Sequence, residues 1–208
     1  VPHDRSYFES QLVAVNNYFR SVSYGKFGLD LDQSIVFPLS DENSYVLPKT
    51  MDYYHPYNQT DIHDQRVTEL FRDALETAYN DDEIDFSNFD HVVIFHAGIG
   101  QDFSLPFLDP TPEDIPSTFI DDDMLQEFVG GMLQFGTVTI NQGIILPETQ
   151  NHLFYQESEN IFLDAEEPCD YQYGLTGTFA LMLGFAIGLP PLWDTNSGQS
   201  GIGIFGLM

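Results

Sequence analysis

The chain has 208 residues, of which 33 are acidic and 6 basic, giving a formal net charge of −27. That balance excludes nucleic acid and anionic membrane as partners; it suits divalent cations, basic surfaces or a saline medium that screens self-repulsion. With 42% hydrophobic residues the length fits one domain, residues 1–208, with a sizeable core, and the lone Cys169 rules out an internal disulfide framework.

Taken in chain order, Phe8, Leu12, Val15 and Phe19 recur at helical spacing and predict an amphipathic helix over Ser6 to Ser21, ended by Tyr24-Gly25. Leu29 to Phe37 alternates loosely and predicts a strand closed by Pro38. Asp41 to Asn58 is a polar loop rich in Tyr and Pro. Val67, Leu70, Phe71, Ala74, Leu75 and Ala78 mark a second helix, with Asp61 and Asp64 at its positive N-terminus. Asn80 to Asp90 is an acidic turn, and the β-branched and aromatic run His91 to Phe95 predicts a buried strand.

Gln101 to Pro116 carries four prolines and is expected to be irregular. Asp121, Asp122 and Asp123 precede a third helical pattern through Leu133, weakened by Gly130-Gly131. Thr137 to Leu146 predicts one or two strands with a turn near Asn141-Gln142-Gly143. The chain then enters an uncharged stretch from Tyr171 to Trp193. Its helical part, Gly174 to Leu189, is short for a membrane span, is rich in glycine and has no basic flank, so membrane insertion is not expected.

That apolar helix has the frame of a zinc-protease active site without its donors. In the pattern H-E-x-x-H-x-x-G-x-x-H/D followed by a Met-turn, the glycine falls on Gly188. The two helical zinc ligands fall on Leu181 and Phe185, the general base on Met182, the third ligand on Pro191 and the Met-turn on Met208. Two imidazoles at i and i+4 would reach one Zn²⁺, with the Glu between them activating the bound water. Leu and Phe have no lone pair to donate, a Met thioether is a soft ligand, and Pro has no donor in its side chain. No zinc cofactor is therefore expected. Burial of such a helix, at roughly 1.5–3 kcal/mol per large side chain, predicts a dry plug where a site would be.

Four blocks in order carry a family likeness. They are Tyr18-Phe19-Arg20-Ser21-Val22-Ser23-Tyr24-Gly25-Lys26; Ile84-Asp85-Phe86-Ser87-Asn88-Phe89-Asp90; Val92-Val93-Ile94-Phe95-His96-Ala97-Gly98; and Gly188-Leu189-Pro190-Pro191-Leu192-Trp193-Asp194 with Gly201 to Met208. Together they resemble the M6, immune inhibitor A-type, family of secreted metallopeptidases. The resemblance implies an α/β (α+β) metzincin-like domain, a twisted mixed sheet packed on long helices, with a degenerate active-site helix and a Met-turn. It also implies a secreted or cell-surface location. Such domains have a strand before residue 1 and more chain after the Met-turn, so a fragment of a longer protein is expected. Every ligand position and the catalytic Glu are replaced, while Gly188 and Met208 keep structural roles. The implied protein is a pseudopeptidase that acts as a structural, surface-assembly or peptide-binding module, with self-assembly or an extracellular protein or peptide as partner.

Two alternatives remain. The first is an active extracellular metallopeptidase with a relocated metal site. None of the six histidines has an H-x-x-x-H partner, and His96, at the end of a buried strand, is the best single candidate; a hydrogen-bonded structural role competes for it. His91 and His96, five apart on one strand, are expected to face opposite sides. The second is a calcium-stabilised acidic surface or filament protein, with Asp81, Asp82, Glu83, Asp85 and Asp90 as candidate calcium ligands. Asp121 to Asp123 fit helix capping more simply, and the run from Asp194 lacks the Glu an EF-hand needs.

Overall fold

The computed structural model describes residues 3–39, 44–82, 84–102, 111–150 and 174–194. Within them the elements run α1 (Arg5–Val22), α2 (Met51–Tyr54), α3 (His63–Asp82), β1 (Val93–Ile99), β2 (Thr118–Ile120), α4 (Asp122–Phe128), β3 (Leu133–Phe135), β4 (Val138–Ile140), β5 (Gly143–Thr149) and α5 (Thr176–Ala186). The fold is a mixed α/β one, as expected from the alternation of helical and extended patterns.

The central sheet has the order β1-β5-β2. β1 runs parallel to β5, with Val93 opposite Ile144 and Phe95 opposite Leu146, and β2 runs antiparallel to β5, with Thr118 opposite Ile145. Successive residues of a strand point to opposite faces, so a run such as Ile144-Ile145-Leu146 feeds two cores at once. Ile145 packs with Leu70, Phe71 and Leu75 of α3 and with Leu125 of α4. Ile144 and Leu146 pack with Val15 and Phe19 of α1 and with Phe179 and Leu183 of α5. The sheet is thus the middle layer between α3 and α4 on one side and α1 and α5 on the other.

Both long helices form where the periodicity placed them. Asp4 caps α1 by accepting from the Tyr7 amide at 3.1 Å, and the Gly25 amide closes its far end on the Arg20 carbonyl at 2.7 Å. Gly143 opens β5 because α3 comes too close for any side chain: a Cβ there would lie 2.3 Å from the Phe71 ring. Pro147 sits in β5 at no cost to the ladder, because β2 ends at Thr118, opposite Ile145.

Three expectations are corrected. Leu29 to Phe37 forms turns rather than a strand. Asp30 accepts from the Asp32 amide at 3.2 Å, and its carbonyl accepts from the Ser34 hydroxyl at 2.8 Å. Local side-chain bonds of this kind offer the backbone an alternative to a ladder. The third helix stops at Phe128, because Gly130 and Gly131 take φ of +86° and +132°, and Leu133 to Phe135 instead forms a hairpin with β4. His91 precedes β1 and does not share the strand with His96. No helix of the described residues is long and apolar enough to cross a membrane.

Candidate functional site

The apolar helix α5 is held lengthwise along β5. The Gln142 amide nitrogen donates to the Ala186 carbonyl at 3.1 Å, and that of Gln150 donates to the Thr178 hydroxyl at 2.8 Å. Leu175, Phe179, Ala180, Leu183 and Ala186 form its buried face. At its end the Gly188 amide donates to the Phe185 carbonyl and the Leu189 amide to the Gly184 carbonyl, both at 2.9 Å. This double closure needs a left-handed residue, and Gly188 supplies it with φ +86°. The glycine of the protease-like frame therefore has a geometric role here that an L residue would fill only under strain.

Of the positions expected to be degenerate, Leu181 and Phe185 lie on the other side of this helix. Leu181 and Phe185, four apart, are half-buried on one face, and Met182 is half-buried against the core beneath α1. This corrects the expected dry plug: the helix is apolar all round, yet only one face of it is fully covered. Phe185 meets Phe119 of the edge strand β2 at a ring separation of 6.1 Å and Trp193 at 5.7 Å. Leu189 and Leu192 are exposed beside them, as is Pro191. The outcome is an apolar ridge along the β2 edge of the sheet. The side chains at 181, 182, 185 and 191 present no nitrogen or oxygen, so they do not fit a zinc ion. Met208 and Cys169 lie outside the described residues.

The structure brings together histidines that are far apart from any metal motif. The rings of His55, just after α2, and His63, at the start of α3, are 4.0 Å apart. His55 is buried and its Nδ1 has no hydrogen-bond partner. Burial, with repulsion from His63 and His96 added, lowers its pKa to about 4. The Nε2 of His63 is held by the Pro56 carbonyl at 2.9 Å.

His96 is buried in β1. Its Nδ1 lies 3.0 Å from the Ala97 carbonyl and its Nε2 2.9 Å from the Ile115 carbonyl. Burial lowers its pKa, against the two carbonyls, so the ring ties the β1 end to the segment before β2. The alternative of a hydrogen-bonded structural His is thus the one its contacts fit.

Among the described side chains, Asp81, Asp85 and Asp90 are not drawn together as a shell. Asp81 and Asp82 end α3. Asp85 is committed locally, accepting from the Ser87 amide at 3.0 Å and its hydroxyl at 2.6 Å. Asp90 is exposed, and Glu83 lies outside the described residues. Among the described residues no three His, Cys, Asp or Glu side chains converge as a metal-binding group. Asp121 caps α4 by accepting from the Met124 amide at 2.9 Å, as its sequence context implied.

Four buried carboxylates, Glu69, Asp73, Asp114 and Glu148, escaped the sequence reading. Glu148 of β5 accepts from the Gly98 amide at 3.1 Å and pairs with the His3 ring at 2.6 Å. Asp73 of α3 accepts from Lys49 at 2.6 Å, Arg72 at 2.7 Å and Tyr54 at 2.8 Å. Burial alone would raise the pKa of each; the hydrogen bonds outweigh it and hold both below the ordinary carboxylate value. Only the helical phase of Asp73, beside Leu70 and Ala74, hinted that it points inward; nothing marked Glu148.

No family model matches the chain, and no curated protein or solved structure matches it either.

Proposed function

We propose that this chain is a secreted, catalytically inactive domain of the M6 metallopeptidase type, working as a binding or surface-assembly module. One observation carries the reading: the helix frame of a zinc protease keeps its closing glycine, at φ +86°, while every position that would hold or activate zinc is apolar. The mixed sheet packed between helices suits such a domain. The half-buried ridge of Leu181, Phe185, Phe119 and Trp193 would then serve as an apolar contact surface where a cleft had been. Mass spectrometry of metal content tests it. Purified protein should carry no stoichiometric zinc and show no chelator-sensitive cleavage of peptides; either would overturn the reading.

A second reading is favoured by the convergence of His55 and His63. A relocated metal site there would use the free Nδ1 of His55. Zinc that is retained by the native chain and lost on His63→Ala would support it over the first.

A further inference from the structure

β1 is flanked on one side by β5; among the described residues its other edge has no strand partner. The register fixes which backbone groups face that edge. The Ile144 amide donates to the Val92 carbonyl at 3.1 Å, and Val93 stands opposite Ile144. In a parallel ladder the residues bonded to the neighbour alternate with residues whose N–H and C=O point away. Residues 92, 94 and 96 therefore face β5, and the N–H and C=O of Val93 and Phe95 point outward.

They point into a cavity of about 890 Å³. Its walls come from both faces of the sheet: Phe8 and Leu12 of α1 on one side, Leu75 and Ala78 of α3 on the other, with Phe37 and Leu47 across the gap. Side chains from both layers thus surround the outer edge of β1. The exposure agrees: Val93, Ile94 and Phe95 are only half-buried, although helices cover both faces of the sheet. Outward N–H and C=O groups beside apolar walls call for a backbone partner, which a lipid or other apolar ligand would not supply.

Charge selects the partner. Of the basic groups on the slot, Lys49 is paired with Asp73 and Arg5 donates to the Pro38 carbonyl. Asp4, Asp30 and Asp90 are exposed at its rim. A second copy of a chain with net charge −27 is repelled from this rim. We propose that the β1 edge accepts an extended segment of a partner protein by strand addition, apolar at alternate positions and flanked by Lys or Arg. This edge is opposite the β2 edge that carries the apolar ridge, so the proposal stands apart from the peptidase-like reading.

Two synthetic peptides test it, KTVTVTVTK and its charge-reversed form ETVTVTVTE, titrated at low salt by fluorescence anisotropy. The lysine-flanked peptide should bind at least tenfold more tightly than the glutamate-flanked one. On binding, the amides of Val93 and Phe95 should gain protection from hydrogen exchange. Val93→Pro removes one outward amide and no β1–β5 bond, and should weaken binding at least tenfold while the chain still unfolds cooperatively. The exchange measurement on the native chain decides the matter should that variant fail to fold. Equal affinity for the two peptides, no binding of either, or protection at Thr118–Ile120 instead would overturn the proposal. Protection of Val93 and Phe95 through dimer formation without peptide would also overturn it, in favour of a second copy.

Discussion

β1 and β5 lie side by side, run in the same direction and carry similar apolar runs, yet they live in different surroundings. Ile144, Ile145 and Leu146 of β5 are fully buried, whereas Val93, Ile94 and Phe95 of β1 are half-buried. The sequence of each strand predicts burial on both faces equally well. What separates them is the flank: among the described residues β5 has a strand on either side, and β1 has one strand and a cavity. Apolar periodicity reports the faces of a sheet and is silent about its edges.

Truncation of side chains in the two strands should show the difference in their surroundings. Ile145→Ala removes a side chain with no exposed surface from between α3 and α4, and should cost about 4 kcal/mol in denaturant unfolding. Ile94→Ala, on the same face of the neighbouring strand, should cost about half of that. Equal losses would mean that β1 is as well covered as β5.

Acid comes next. His55 has its pKa lowered from 6.5 to about 4, so the unfolded chain binds the extra proton between those values. Its contribution is complete above pH 6.5 and is lost as the pH falls towards 4, amounting to at most about 3 kcal/mol. Asp73 and Glu148, both held below their ordinary values, add a further loss at lower pH, as the unfolded carboxylates bind protons first. His55→Phe should flatten the fall above pH 4 and leave the carboxylate loss in place. A melting temperature that is constant from pH 7 to 4.5 would contradict the buried, neutral His55.

Gly143→Ala is comparable in size to Ile94→Ala, although only a single methyl is added. It points at the ring of Phe71, which is fully buried and has no room to swing, and should destabilise by about 2 kcal/mol. Ala at Gly174 or Gly177, where a Cβ meets nothing within 4 Å, should be neutral or stabilising.

The parts of the fold that were legible in the sequence are those set by strong periodicity. The expected helix at Ser6 to Ser21 is Arg5–Val22, and the run from Val67 to Ala78 lies inside His63–Asp82. The turn near Asn141 separates β4 from β5, as its residues implied. Leu29 to Phe37 misled because its loose alternation was overridden by the side chains of Asp30 and Ser34 bonding locally. β2 left no signal of its own, being three residues whose pairing depends on β5, distant in the chain. The candidate site divides in the same way. The closing role of Gly188 follows from its position in the chain, but the half-exposure of Leu181 and Phe185 does not, since an all-apolar helix gives no hint of which face is covered. The meeting of His55 with His63 depends on how α2 docks against α3, which eight residues of intervening chain do not reveal.

We propose that α5 and the turn after it retain a zinc-protease frame stripped of its donors. The most direct measurement is the metal content, by mass spectrometry, of the native chain beside a variant that carries Leu181→His, Met182→Glu, Phe185→His and Pro191→Asp together. About one zinc per chain is expected in the folded variant and none in the native protein. Stoichiometric zinc in the native chain, or a folded variant that takes up no zinc, would contradict it.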